Sequence, residues 1–172
     1  MIYFVTGGAR SGKSNYAQQF ALSLSDSPVY LATAKRWDED FEQRVKLHQQ
    51  QRDERWTTIE ELKHLALHPI DNRVCVIDCA TLWLTNFFVD CKYDPAYALV
   101  QFKEEMDALQ QRTGTFIIIS NEIGMGVHAE NEAARKFTDL QGWANQYIAA
   151  IAQTVILMVS GIPVTIKQPV EA

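Results

Sequence analysis

Four residues near the start of the chain keep fixed intervals: Gly7, Gly12, Lys13 and Ser14, within the stretch GGARSGKS. The spacing is G-x-x-x-x-G-K-[ST]. Glycines let a backbone curl until successive N–H groups point inward, and a helix opening at Lys13 adds its own unpaired donors. Gly7, Gly8, Ala9, Arg10, Ser11 and Gly12 therefore make a cradle for anionic oxygens. Lys13 supplies a point charge near the β- and γ-phosphates of a nucleotide, and Ser14 a hydroxyl for Mg2+. Arg10 has no place in the general motif and either reaches a phosphate or faces water. A chance glycine turn is the bland alternative, but an apolar run (residues 2–6) precedes the loop and a helical pattern follows it.

Such a loop needs a carboxylate on the magnesium side, at the end of a neighbouring strand. Asp78, closing VCVID, fits best; its alternative is to cap the helix that follows. Glu122, after TFIIIS, is the second candidate, or a base near the acceptor. Gly124 and Gly126 beyond it suggest a close backbone approach or a flexible loop.

A second constellation lies in the polar segment 38–55. At 100° per residue, Phe41, Arg44, Val45, His48, Arg52 and Arg55 fall on one helical stripe. His48 then sits between Arg44 and Arg52, each four residues away. Flanking cations keep an imidazole neutral, and a neutral ring nitrogen is a competent nucleophile toward phosphorus. On pattern alone, a charged helix is more often a solvated face. His64 and His68 are also four apart, but no further metal ligand accompanies them, and they read as surface residues.

The elements that must hold these groups alternate along the chain. Apolar runs at residues 2–6, 29–33, 74–78, 115–120 and 155–159 read as buried strands. Helices are expected from Lys13 (Tyr16, Ala17, Phe20, Ala21 and Leu24 inward), over 38–55, 81–90 and 95–112, and over 131–151. Residues 164–167 can pair back as an edge hairpin after the SGIP turn. Strands apolar throughout, separated by helices, mean a mostly parallel sheet covered on both faces, and ligands bind beyond the carboxyl ends of its strands. The fold expected is an α/β P-loop NTPase.

The chain has 172 residues, 47% of them hydrophobic, which suits one domain spanning residues 1–172. A formal net charge of −5 leaves no basic patch of nucleic-acid size. Three cysteines, an odd number, with no leader pattern and no apolar run long enough for a bilayer, suggest reduced thiols in a cytoplasmic protein that does not insert in membranes. Cys75 and Cys79 read as core residues; Trp83, Phe87 and Phe88 read as core or interface packing, with contact to a large apolar ligand as the alternative.

GGARSGKS, YLAT, the R…H…R…W.T.E pattern, NEIGMGV, EN…AR.F.D..G..NQ and VSGIP occur in this order. Together they resemble the adenosylcobinamide kinase / adenosylcobinamide-phosphate guanylyltransferase family of cobalamin assembly, from Met1 to about Lys167. The resemblance implies a RecA-like sheet, Mg2+, and two reactions. The aminopropanol hydroxyl of adenosylcobinamide is phosphorylated from ATP or GTP; GMP is then transferred from GTP to that phosphate, with release of pyrophosphate. It further implies a GMP-histidine intermediate on the histidine of H-x-x-x-R, here His48 before Arg52. The implied guanylyl-donor site comprises Gly7 to Ser14; Ala34, Lys35 and Arg36; Gln51, Arg52, Asp53 and Glu54; and a carboxylate of W.T.E, set at Glu60 with Glu61 adjacent. A homotrimer is implied, with the corrinoid between subunits. Family members commonly carry Pro where His128 stands, and a polar residue where Leu47 stands. Two rivals are a plain small-molecule kinase, in which His48 merely lines the site, and a non-enzymatic nucleotide sensor.

Overall fold

The computed structural model describes residues 1–35 and 52–169. Strand β1 (Ile2–Gly7) leads through the glycine loop into helix α1 (Lys13–Leu24), then β2 (Val29–Ala32). After β3 (Thr57–Glu60) come a short 3-10 turn (Leu65–Leu67), β4 (Arg73–Asp78), α2 (Ala80–Asp90), α3 (Pro95–Gln110) and β5 (Gly114–Ile119). Helix α4 (Glu132–Ile151) and the hairpin β6 (Thr154–Val159) and β7 (Ile162–Lys167) complete it. The seven strands form one sheet in the order β3-β2-β4-β5-β1-β6-β7. Every pairing is parallel except β6 with β7. This is the mostly parallel sheet with a C-terminal edge hairpin that the apolar runs implied.

Alternation along the strands decides which face each side chain fills. Val29, Leu31, Cys75, Ile77, Phe116 and Ile118 join the core beneath α2, α3 and α4, where Trp83, Phe87 and Phe102 pack ring against ring. Val5, Tyr30, Val76, Ile117 and Ile119 form the other face with Ala17 and Ala21 of α1. Sequence places the helix starts: Asp94 accepts from the amides of Ala96 and Tyr97 ahead of Pro95, and Asn131 accepts from that of Ala134. Cys75 and Cys79 are buried free thiols pushed up to about 12 by burial, as core cysteines should be.

Four expectations change. Strand β3 was not foreseen: TTIE is short, polar and on the sheet edge, so it lacks an apolar signature. Residues 52–55 are not the end of a helix. The Asp53 carboxylate accepts from the amide and guanidinium of Arg55, and this local pairing competes with helical hydrogen bonds. The rest of that expected helix, with Phe41, Arg44, Val45, His48 and Gln51, lies outside the described residues, as does Arg36. Leu24 is 45% exposed, and α1 buries Gln18 beside Ala17 and Ala21. The turn before β7 is shorter than SGIP: only Ser160 and Gly161 lie between paired residues Val159 and Ile162. Both have positive φ, 51° and 85°, the requirement of a two-residue hairpin turn.

Candidate functional site

The loop after β1 closes on itself. The Ser11 amide donates to the Gly8 carbonyl, and Lys13 Nζ donates to the same oxygen at 2.6 Å. Gly7 has φ 149°, and a Cβ there would stand 2.5 Å from the Met158 carbonyl oxygen. Gly12 has φ 94°, and its Cβ would come within 3.2 Å of Gly161 Cα. Neither position accepts a side chain, so the motif's two glycines are fixed by conformation and by the strands alongside. The loop is braced from outside as well: the Gly161 amide in the β6–β7 turn donates to the Ser11 carbonyl, and the Glu122 amide to the Gly7 carbonyl. Arg10, Gly8 and Ala9 are exposed. Lys13 is buried to 7% exposure, and desolvation lowers its pKa against the raising influence of Cys79 and Asp78.

Asp78 ends β4 facing this loop. Its Oδ2 accepts from Ser14 Oγ at 3.0 Å and from the Tyr30 hydroxyl at 2.5 Å. The N-cap of α2 is Cys79, so the carboxylate is not spent on capping. Tyr30 is buried; burial, and then the Asp78 charge, push its phenol well above the usual range. The Arg52 guanidinium stacks 3.7 Å from the centre of the Tyr30 ring, with Nη1 buried and unpartnered. A continuous set of contacts thus runs Ser14–Asp78–Tyr30–Arg52. Tyr30, which carries its centre, looked in the sequence like any strand aromatic.

Register brings the remaining carboxylates into line. Ala32 pairs with Asp78 on one side and with Glu60 on the other, so these residues are level at the carboxyl ends of β4, β2 and β3. Glu61 is employed elsewhere. Partial burial pushes its carboxyl up, but the amides of Lys63 and His64 and the His68 ring outweigh this and bring it down to about 2. Of the adjacent pair, Glu60 is therefore the one at the strand ends. Ala34 and Lys35 follow β2 at the same edge, Lys35 exposed; Asp53 and Glu54 are exposed beyond Arg52.

Glu122 is half-buried on the loop's other flank, next to the strand carrying Gly7. Among the described residues nothing crowds Gly126, and a Cβ at Gly124 would make only ordinary contacts, so neither marks a close backbone approach. His64 pairs with Glu105 and His68 with Glu61, and no cluster of metal-binding side chains occurs among the described residues. Gln18, an amide inside a helical stripe, is buried on α1 and had no sequence signal; Trp56, the first residue of the W.T.E pattern, packs edge-on to Tyr30.

Residues 3–166 match the CobU family, described as cobinamide kinase / cobinamide phosphate guanyltransferase. The bifunctional adenosylcobalamin biosynthesis protein CobU of Escherichia coli K12 is 36% identical, over 97% of this chain and 100% of that protein. The bifunctional adenosylcobalamin biosynthesis protein CobP of Pseudomonas aeruginosa PAO1 is 35% identical, over 95% of each. Among solved structures, a prototypical ATPase of a bacterial type III secretion system superposes with a TM-score of 0.59 at 10% identity. It covers 91% of this chain and 50% of its own, a likeness of fold only.

Proposed function

The chain belongs to the cobinamide kinase / cobinamide phosphate guanyltransferase family, and from that membership we propose how one phosphate cradle serves both reactions. It is an adenosylcobinamide kinase and adenosylcobinamide-phosphate guanylyltransferase of cobalamin biosynthesis. In the kinase reaction the loop Gly7–Ser14 presents the γ-phosphate of ATP or GTP to the aminopropanol hydroxyl.

In the second reaction the same loop holds GTP, and a ring nitrogen of His48 attacks the α-phosphorus in line. The bond from that phosphorus to the bridging oxygen breaks, and pyrophosphate leaves with its charge matched by Lys13. A phosphate oxygen of adenosylcobinamide phosphate then displaces the imidazole, giving adenosylcobinamide-GDP and free His48. The carrying observation is the contact chain from Ser14 through Asp78 and Tyr30 to Arg52. His48 stands four residues before Arg52, and four residues of chain span at most about 14 Å.

Mg2+ fits the oxygens present. Ser14 Oγ and the Asp78 carboxylate lie together beside the loop, and this ion is commonly held by one or two carboxylates with substrate phosphates. When bound, it neutralises charge on the phosphates. Ser14 and Asp78 would hold it, and Tyr30 orients the carboxylate. The protein assembles as a homotrimer, a reading supported by the family resemblance and by the apolar residues exposed on β7. No helix among the described residues is long and apolar enough to cross a membrane.

GTP labelled at the α-phosphate tests the covalent step. The expected result is label bound to protein, stable in alkali, lost in acid, and absent from His48→Ala, which keeps ATP-dependent phosphorylation of adenosylcobinamide. Guanylyl transfer proceeding at the normal rate in His48→Ala would end this reading.

A further inference from the structure

Asp78 serves the metal side of the cradle; Glu122, beyond the end of β5, stands on the other side. Resting on the reading that the loop presents the γ-phosphate to the aminopropanol hydroxyl, we propose that Glu122 is the general base of the kinase step and takes the proton of that hydroxyl.

Three observations carry the assignment. The first is position. Strand β5 lies between β4 and β1, and Asp78 and Val5 both pair with Ile119. Asp78 therefore faces the loop from the β4 side, while the chain leaving β5 bonds to the β1 side, where the Glu122 amide donates to the Gly7 carbonyl at 3.0 Å. The second is rigidity. Asn121 donates to Thr81 Oγ1 through both its amide and its Nδ2, at 3.0 and 3.2 Å, and its carbonyl accepts from Asn145 Nδ2. The residue before Glu122 is thus pinned by α2 and α4, which places a base before the substrate arrives. The third is charge. Among the described residues no cation pairs with the Glu122 carboxylate, and its Oε1 has a long 3.4 Å contact to the Gly124 amide. A bare carboxylate beside a triphosphate repels it, so Glu122 does not serve nucleotide affinity; a neutral hydroxyl with a proton to give suits it. Just beyond, Ile123, Met125 and Val127 are exposed, an apolar margin for the face of a large corrinoid whose aminopropanol arm enters the cradle.

The hydroxyl oxygen forms a bond to the γ-phosphorus of ATP or GTP as the bond from that phosphorus to the bridging oxygen breaks. The nucleoside diphosphate leaves with the electron pair, and the hydroxyl proton passes to a Glu122 oxygen. Guanylyl transfer needs no such base, because its acceptor is a phosphate oxygen already ionised at neutral pH.

The two reactions of one enzyme therefore separate the roles. With full-length protein, Glu122→Gln is expected to lower kcat for phosphorylation of adenosylcobinamide by about a hundredfold. The same variant should keep its affinity for ATP, or gain some. It should transfer GMP to supplied adenosylcobinamide phosphate within about twofold of the wild-type rate, which also reports that it folds. An unchanged kinase kcat overturns the proposal. So does an equal fall in both reactions, or a tenfold loss of ATP affinity, since each makes Glu122 a brace of the loop. Wild-type kinase activity with an unaffected variant refutes the base alone; wild type that phosphorylates no adenosylcobinamide refutes the base together with the reading it rests on.

Discussion

Lys13 carries its ammonium into a nearly dry position, where it donates to the Gly8 carbonyl. Burial lowers its pKa, so the charged form is disfavoured until anionic phosphates arrive. Below the lowered pKa both folded and unfolded chains hold the proton, and the buried charge is a cost. Between that pKa and 10.5 the unfolded chain binds the extra proton, so stability of the unliganded protein rises with pH through this window. Lys13→Met should remove that rise in thermal melts and weaken triphosphate binding by about 2–5 kcal/mol, the range for deleting one partner of a buried charge pair. Glu61 has the opposite sign. Its carboxyl is drawn from 4.5 to about 2, so the stability it contributes is present above pH 4.5 and is lost as pH falls toward 2. Glu61→Gln should flatten the acid limb of a melting-temperature profile over that interval. Residues whose role depends on neighbours in sequence were legible: Gly7, Gly12, Lys13 and Ser14 follow a local spacing rule. Tyr30 and Arg52 were not read in their observed settings. Their significance comes from Asp78 and an aromatic ring brought in by the fold.

Elements enter the site chiefly by bracing it. The Ser160–Gly161 turn hydrogen-bonds the glycine loop from the sheet edge, so a hairpin far along the sequence sets the loop's stiffness. Gly161→Ala forces a side chain onto φ 85°, at a cost of about 1–2 kcal/mol. Its open surroundings make this a conformational cost rather than a clash. The expected outcome is a lower melting temperature together with weaker GTP and ATP binding, in the same proportion for both bases. On the opposite flank, Ser120, Gln141 and Asn145 form a buried hydrogen-bonded cluster, and Asn145 Nδ2 also donates to the Asn121 carbonyl, tying α4 to the end of β5. Asn145→Leu leaves those partners unsatisfied and should destabilise the protein by about 1–3 kcal/mol, measured by urea unfolding. Strands β1, β2, β4, β5 and β6 were readable because a strand buried on both faces is apolar throughout. Strand β3 has only one neighbour and reads as polar, and residues 52–55 kept a helical periodicity that the Asp53–Arg55 pairing overrides.

At the scale of the whole molecule, the sheet ends differ. β3 is a short polar edge, whereas β7 is a six-residue edge with Ile162 at 64%, Val164 at 44% and Ile166 at 60% exposure. Long apolar edges invite pairing with another chain unless covered. The proposed homotrimer covers this one if the β6–β7 hairpin lies at the subunit contact. The hairpin turn also touches the glycine loop through Ser11, so assembly and nucleotide binding are then linked: fixing β7 against a neighbour holds the loop in its binding shape. Light scattering is expected to give three times the monomer mass for wild type and a lower mass for Ile162→Lys combined with Ile166→Lys. Both side chains are exposed, so the double variant should still fold, with its far-ultraviolet circular dichroism unchanged. It should bind GTP more weakly, and diluting wild type should lower its affinity toward the value of the variant. A wild-type monomer would refute the trimer. A trimer that persists in the double variant would place the subunit contact on another surface and leave the loop independent of assembly.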